Sequence, residues 1–140
     1  VTLRPFEATD YAAAAALWTA TEGVGLGPGD SEGEIRRFLE RNAGLSLVAT
    51  EGTALVAAAL CGHDGRRGYI YHLAVKDSHR RRGLGRDLAR KCLEGLDAAG
   101  IRRAQVSVFA SNSGARAFWQ RLGGLPRPDL VVLSFPIAGA

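Results

Sequence analysis

The stretch His79-Arg80-Arg81-Arg82-Gly83-Leu84-Gly85-Arg86 constrains this chain more than any other, because of what flanks it. An apolar run from Gly68 to Val75 leads in with strand character. Leu84, Leu88, Ala89, Cys92, Leu93 and Leu96 then repeat at helical spacing, and Gly100 stops the pattern. A strand therefore feeds a helix through a turn rich in arginine and glycine. The N-terminus of a helix already presents orphan N–H groups and a partial positive charge, so acidic residues are its usual companions. Arg80, Arg81, Arg82 and Arg86 do the opposite and add to that charge. The arrangement makes sense if an anion joins them, and glycine turns at helix N-termini are natural phosphate sites. The pattern predicts an α/β fold with a polyanion site, a pyrophosphate site above all, at this turn.

The charge distribution favours one concentrated site. The net charge is +4, yet Lys76 to Lys91 alone holds seven basic residues (Lys76, Arg80, Arg81, Arg82, Arg86, Arg90, Lys91) against Asp77 and Asp87. A nucleic-acid coat would spread basic residues more widely, and single-strand binders interleave exposed aromatics that are missing here. Nucleic acid is therefore not an expected partner. With 140 residues, 46% hydrophobic and 23% charged, a single domain over 1–140 with its own core is expected.

Cys61 and Cys92 fall inside apolar patterns without metal-ligand spacing, which predicts small core residues, no disulfide framework and no metal. The longest apolar runs, Ala12 to Trp18 and Ala54 to Cys61, are too short to span a bilayer. No leader segment is visible, so a cytoplasmic protein without membrane contact is expected.

Along the chain, Thr2 to Pro5 reads as an edge strand, and Asp10 is placed to cap a helix running to about Thr21. Gly23 to Gly33 is a glycine-rich loop, after which Ser31-x-x-Glu34 forms a capping box opening a helix through about Arg41. Leu45 to Thr50 and Ala54 to Cys61 are paired strands turning at Glu51-Gly52, and Asp64-Gly65 precedes the strand Gly68 to Val75. After the long helix come a strand, Arg103 to Phe109, a helix from Asn112 or Ser113 ended by Gly123-Gly124, and a last strand from Asp129 to Ile137. Strands interspersed with helices in this order imply a mixed sheet with helices on both faces.

Two phosphate motifs are excluded. There is no G-x-x-x-x-G-K-[ST], and Gly83-x-Gly85 is followed by Leu88 where a dinucleotide fingerprint needs its third glycine. What remains is Arg80-x-x-Gly83-x-Gly85 between strand and helix. Further on comes Asn112-Ser-Gly-Ala115-Arg-Ala-Phe118-Trp119-Gln-Arg-Leu122-Gly123. With the opening Leu3-Arg4-Pro5 and the strand Leu73-Ala74-Val75, these motifs make the chain resemble the GNAT superfamily of acyl-CoA-dependent N-acyltransferases over nearly its whole length. The Trp18 helix and the Asp64-Gly65…Arg67-Gly68 hairpin are similar to those of small bacterial members of the YpeA type.

That resemblance implies a mixed, mostly antiparallel central sheet with helices on both faces, in a single domain. It also implies acetyl-CoA as co-substrate, an amine acceptor, direct attack in a ternary complex, and compatibility with a homodimer. By resemblance, the backbone of Leu73, Ala74 and Val75 lies along the pantetheine arm. The turn of Arg81, Arg82, Gly83, Leu84, Gly85 and Arg86 wraps the pyrophosphate, and Asn112 holds the cofactor near its thiol end. An amide near Ala74 or Val75 polarises the thioester carbonyl.

The departures concern proton transfer. Trp119 stands where many members carry a tyrosine acid, and an indole N–H does not titrate as a phenol does. Tyr69 and Ser107 stand where relatives carry a glutamate base. Because amines have pKa values of about 8 to 10.4, the proton needs a route, and Tyr69 and Tyr71 share a strand face that can relay it through water. Alternation puts His72 on the opposite face, in a core or sheet-surface role, and His63 and His79 are turn residues. From Glu22 to Glu34 the only charges are acidic, and Glu22, at the unfavourable end of its helix, is the candidate contact for a cationic amine. The missing acid and base also leave open a non-catalytic acyl-CoA-binding sensor.

Overall fold

The computed structural model describes residues 1–138, which divide into two compact units between Ser107 and Val108. The first unit holds strands β1 (Thr2–Pro5), β2 (Leu47–Glu51), β3 (Ala54–His63), β4 (Gly68–Val75) and β5 (Ala104–Val106). Its helices are α1 (Tyr11–Ala20), α2 (Glu32–Arg41) and α3 (Leu84–Ala98). The strands form one sheet in the order β1-β2-β3-β4-β5, antiparallel throughout except for the parallel β4–β5 pair. This is the mixed, mostly antiparallel sheet expected from the sequence.

Local chemistry explains where the helices begin. Ser31 and Glu34 exchange side-chain and backbone hydrogen bonds as a capping box, so α2 starts at Glu32. Asp10 does not cap α1 with its side chain. Its carboxylate instead takes two 2.8 Å hydrogen bonds from Arg4 and one from the Glu7 N–H, tying β1 to the turn before the helix. In α3, the buried Leu84, Leu88, Ala89, Cys92 and Leu96 form the apolar stripe read from the sequence.

β3 is central, and Val56 to Cys61 are all buried. On one face, Ala58, Leu60 and Ala74 of the sheet pack with Trp18 and Ala14 of α1 and Ile35 of α2. On the other, Cys61 meets α3, its sulfur 3.8 Å from the Cys92 carbonyl. Both cysteines are free and buried. The alanines at 57 to 59 keep the strand thin, so a tryptophan-bearing helix and a leucine-bearing helix both fit against it.

One irregularity in this sheet sets the course of β4. Ala58 pairs with Ala74 and Leu60 with Tyr71, so β4 uses one residue more than β3 over the same span. The excess is taken up by a bulge, with His72 in the left-handed region at φ +53°.

The second unit contains α4 (Ser113–Arg121). Asn112 caps its start, with Oδ1 accepting from the Ala115 N–H, and Gly123 ends it at φ +101°. The strand expected from Asp129 to Ile137 is not there; the segment forms no ladder, and Val131, Val132, Leu133, Phe135 and Ile137 are exposed. A strand exists through its partner's hydrogen bonds, and an apolar run by itself does not supply that partner. Among the described residues, no helix is long and apolar enough to cross a membrane.

Candidate functional site: an open strand edge and an arginine turn

β4 is paired on both sides only at its start. Gly68, Tyr69 and Ile70 pair with Ala104, Gln105 and Val106 of β5, while on the other side β4 stays in register with β3 as far as Val75. From Tyr71 to Val75, the edge facing away from β3 has no strand partner among the described residues. Leu73, Ala74 and Val75 lie in this open stretch. Backbone amides need partners, and an extended ligand carrying its own amides can supply them as an added strand.

The open edge runs directly into the turn singled out by the sequence. The Lys76 N–H donates to the Val56 carbonyl, and Asp77–His79 form a single 3-10 turn. His79 reaches back with Nε2 3.2 Å from Glu51, which holds that carboxyl below its ordinary value. Arg80 is committed locally, to Asp77 at 2.7 Å and to the Val75 carbonyl at 3.1 Å. Arg81 and Gly83 both take left-handed conformations, at φ +66° and +77°.

Gly83 is the N-cap of α3 and has no side chain with which to cap it, so the N–H groups of the first turn stay available. Leu84 is buried and anchors the helix start, with Gly85 beside it in the same turn. Arg81 and Arg82 are exposed and make no salt bridge among the described residues, and Arg86 is 3.7 Å from Asp87. The residues expected to wrap a pyrophosphate, Arg81 to Arg86, thus form one continuous turn and helix start just beyond the open edge.

The face of β4 toward α2 carries Tyr69 and Tyr71, stacked with ring centroids 5.9 Å apart and planes 11° from parallel. Phe38 meets Tyr71 edge-on at 6.2 Å. Together with Arg41, Asn42, Gly62, His63 and Asp64 they line a pocket of about 210 Å³. Burial, reinforced by neighbouring Tyr69, pushes the Tyr71 phenol above its ordinary value. It therefore keeps its proton at neutral pH and can donate a hydrogen bond. A Cβ at Gly62 would lie 2.6 Å from Asn42 and 2.7 Å from Phe38, so only glycine leaves this wall open.

The acceptor-side expectations change in two respects. Glu22 lies exposed in the turn after α1 and makes no salt bridge among the described residues. The loop carboxylate that reaches the sheet is Asp30, whose Oδ1 is 2.9 Å from Nε2 of His72. Alternation put His72 on the opposite face; the bulge breaks the alternation and turns its ring toward α1, 5.2 Å from Trp18. Trp18 Nε1 donates to the His72 carbonyl at 2.6 Å. Asp30 is braced in turn, its Oδ2 accepting from the Gly27 N–H and its carbonyl from the Tyr11 hydroxyl. A carboxylate set among loop glycines was the visible hint; the bulge has no sequence signature.

In the second unit, Asn112 caps α4 through Oδ1, and Trp119 packs edge-to-face with Phe118 at 5.1 Å. Ser107 follows β5 and is exposed.

An open strand edge, a glycine-capped helix start and unneutralised arginines define an acyl-transferase type of architecture, and comparison with known proteins agrees. The acetyltransferase (GNAT) family matches residues 12–124. The chain belongs to that family and is an N-acetyltransferase. Among solved structures, it is similar to the ribosomal-protein-S18-alanine N-acetyltransferase from Escherichia coli, with 25% identity and a TM-score of 0.72 over 87% of this chain and 76% of that one. An aminoglycoside acetyltransferase from an uncultured soil metagenomic sample aligns over 98% of both chains, with 23% identity and a TM-score of 0.74. Rv2747 from Mycobacterium tuberculosis, in complex with CoA and NLQ, aligns over 84% of this chain and 70% of that one, with 17% identity and a TM-score of 0.66.

Proposed function

We infer that the chain transfers an acetyl group from acetyl-CoA to a primary amine by direct attack within a ternary complex. One observation carries this reading: the unpaired edge of Leu73–Val75 leads straight into an uncapped helix start flanked by the free charges of Arg81 and Arg82. Acetyl-CoA supplies an activated thioester, two pantetheine amides and a pyrophosphate, and this edge and turn fit the last two. The strand edge offers backbone hydrogen-bonding groups to the amides, Arg80 already engaging the Val75 carbonyl, and the turn offers N–H groups and guanidinium charge to the phosphates. An amide near Ala74 or Val75 aimed at the thioester oxygen stabilises the charge that develops there.

The acceptor belongs on the face of Tyr69, Tyr71 and Phe38, where aromatic rings and the donor Tyr71 border the open end of the strand. Direct attack accords with the cysteines, since Cys61 and Cys92 are buried against each other and neither can carry an acyl group out to a substrate. The names of the similar structures widen the acceptor panel to an alanine-leading peptide and an aminoglycoside.

Calorimetry with CoA and thiol release from acetyl-CoA against an alanine-leading peptide, a lysine peptide, kanamycin and spermidine test the reading together. Binding and turnover with at least one amine are expected. Gly83→Val forces a β-branched residue to φ +77° and is expected to weaken CoA binding at least tenfold while the protein stays folded by circular dichroism. Unchanged CoA affinity in that variant removes the assignment of the turn, and binding without turnover on any amine removes the transfer reaction.

A further inference from the structure

We propose that His72, held by Asp30, takes the proton from the attacking amine; the role rests on the acetyl-transfer reading above. The three histidines differ in what their rings have free. His79 has both ring nitrogens engaged, by Ser78 and Glu51. His63 accepts from the Gly65 N–H and lies at the far end of β3, across from Gly68. His72 uses only Nε2, bonded to Asp30 at 2.9 Å, and Nδ1 has no partner among the described residues.

Its location also sets it apart. His72 is the bulge residue between Tyr71, which lines the aromatic pocket, and Leu73, which opens the unpaired edge. The bulge brings its ring to the face that Tyr69 and Tyr71 share. Its side chain keeps 18% of its surface accessible, and that of Asp30 keeps 17%. The ring is therefore enclosed enough to hold its orientation and open enough to meet a substrate. A histidine oriented by a carboxylate, with its second nitrogen free, is the arrangement that general-base catalysis uses.

The backbone has been arranged to keep it there. Left-handed φ is uncommon outside glycine, and His72 holds φ +53° while Trp18 Nε1 grips its carbonyl at 2.6 Å. Asp30 is likewise fixed through Gly27 and Tyr11. Strained backbone maintained by surrounding contacts is characteristic of working sites.

The step balances. The neutral amine nitrogen forms a bond to the thioester carbonyl carbon as the carbon–sulfur bond breaks. One proton of that nitrogen passes to Nδ1 of His72, and Asp30 stabilises the imidazolium through Nε2–H. The departing thiolate then recovers a proton and the imidazole returns to neutral. Asp30 is a positioning residue in this scheme. Tyr11 of α1 reaches the pair through the Asp30 carbonyl, and Tyr69 and Tyr71 precede His72 on β4; Arg41 of α2 and His63 and Asp64 at the end of β3 line the pocket beside those tyrosines, whose lining includes neither His72 nor Asp30. Opposite the bulge, β3 contributes only Ala58, Ala59 and Leu60.

The test measures the pH dependence of kcat/KM with the panel amine that turns over fastest, beside CoA affinity by calorimetry. Asparagine tolerates the left-handed backbone, so His72→Asn should fold; it is expected to bind CoA as the wild type does while losing about 100-fold in kcat, and its acid-side profile should fall with a limiting slope of one, from the amine alone, where the wild type falls with two. Asp30→Asn keeps a side-chain oxygen but removes the charge. It should lose less, in kcat and not in KM, and Asp30→Glu, which keeps the charge, should recover part of the loss. If His72→Asn keeps wild-type kcat, or if its acid-side slope equals that of the wild type, the proposed role is wrong. If Asp30→Asn raises KM and leaves kcat unchanged, or if Asp30→Glu recovers none of the lost kcat, Asp30 acts on structure alone and the dyad is overturned. Failure of the wild-type protein to take up CoA or to acetylate any panel amine removes the acetyl-transfer reading instead, and is read before any variant is made.

Discussion

At its start β4 is hydrogen-bonded on both sides, with Gly68–Ile70 lying between β3 and β5, whereas from Tyr71 to Val75 it keeps only β3. Both ends reach the core, through Gly68 and Ile70 at one and Ala74 at the other. They differ in where β5 leaves. An apolar strand with one unsatisfied edge carries a standing demand for amide partners. At the closed end β5 meets that demand; at the open end no strand does, and only the His72 and Val75 carbonyls are bonded, by Trp18 and Arg80. On the function proposed above, the closed end serves stability and the open end serves binding, within a strand of 8 residues.

That division can be broken most forcefully at the closed end. A Cβ at Gly68 would lie 2.6 Å from one methyl of Leu96 and 2.9 Å from the other, in a part of the core where Leu96 is buried. Gly68→Val is expected to cost about 1–3 kcal/mol by overpacking and to lower the thermal midpoint by several degrees. The folded protein should still bind CoA with wild-type affinity in calorimetry. A large loss of affinity with unchanged stability would reverse the roles assigned to the two ends.

The converse change falls just past the open end. Replacing Arg81 and Arg82 together by Gln removes two exposed charges without a salt-bridge partner among the described residues. CoA binding should weaken about tenfold, equivalent to ~1.4 kcal/mol. The salt dependence of the remaining binding should be shallower, and stability should change by less than about 0.5 kcal/mol. Equal salt dependence in variant and wild type would show that these arginines do not meet the phosphates.

The smallest expected effect comes from a site remote from both ends. Asp10 is held below its ordinary value chiefly by the Arg4 hydrogen bonds, against the opposing effect of burial. Its contribution is fully present above the unfolded-state pKa of about 3.9 and is lost as pH falls through the lower folded value. Asp10→Asn should cost about 1 kcal/mol in urea melts at neutral pH, and the difference from wild type should shrink once the pH falls below that window. CoA affinity should be untouched.

Much of the fold was legible because it follows from short-range rules. The capping box at Ser31, the apolar stripe of α3, Gly100 as its stop and the strand Gly68–Val75 all appear where the sequence implies them. The expected strand at Asp129–Ile137 shows the limit of the same rules. Its apolar residues satisfy the pattern, but no ladder forms, because pairing depends on a second strand elsewhere in the chain. On the site, the concentration of arginines before an amphipathic helix pointed to the turn without reference to anything beyond the chain. His72 was assigned to the wrong face for a definite reason: a single extra residue in β4 reverses alternation from that point, and the extra residue is visible only against β3. Asp30 lies 42 positions from His72, and sequence proximity to a helix end, the ground for naming Glu22, carries no information about which loop carboxylate reaches the sheet.

The sequence by itself determined a strand–turn–helix unit with an arginine-rich turn, since helix periodicity, glycine at the cap and local charge act over a few residues. Only the tertiary structure decided that β5 departs after Ile70, that β4 bulges at His72, and that a histidine and a distant carboxylate meet there. Those features depend on how one strand registers against another, and register is a property of two segments that neither carries alone.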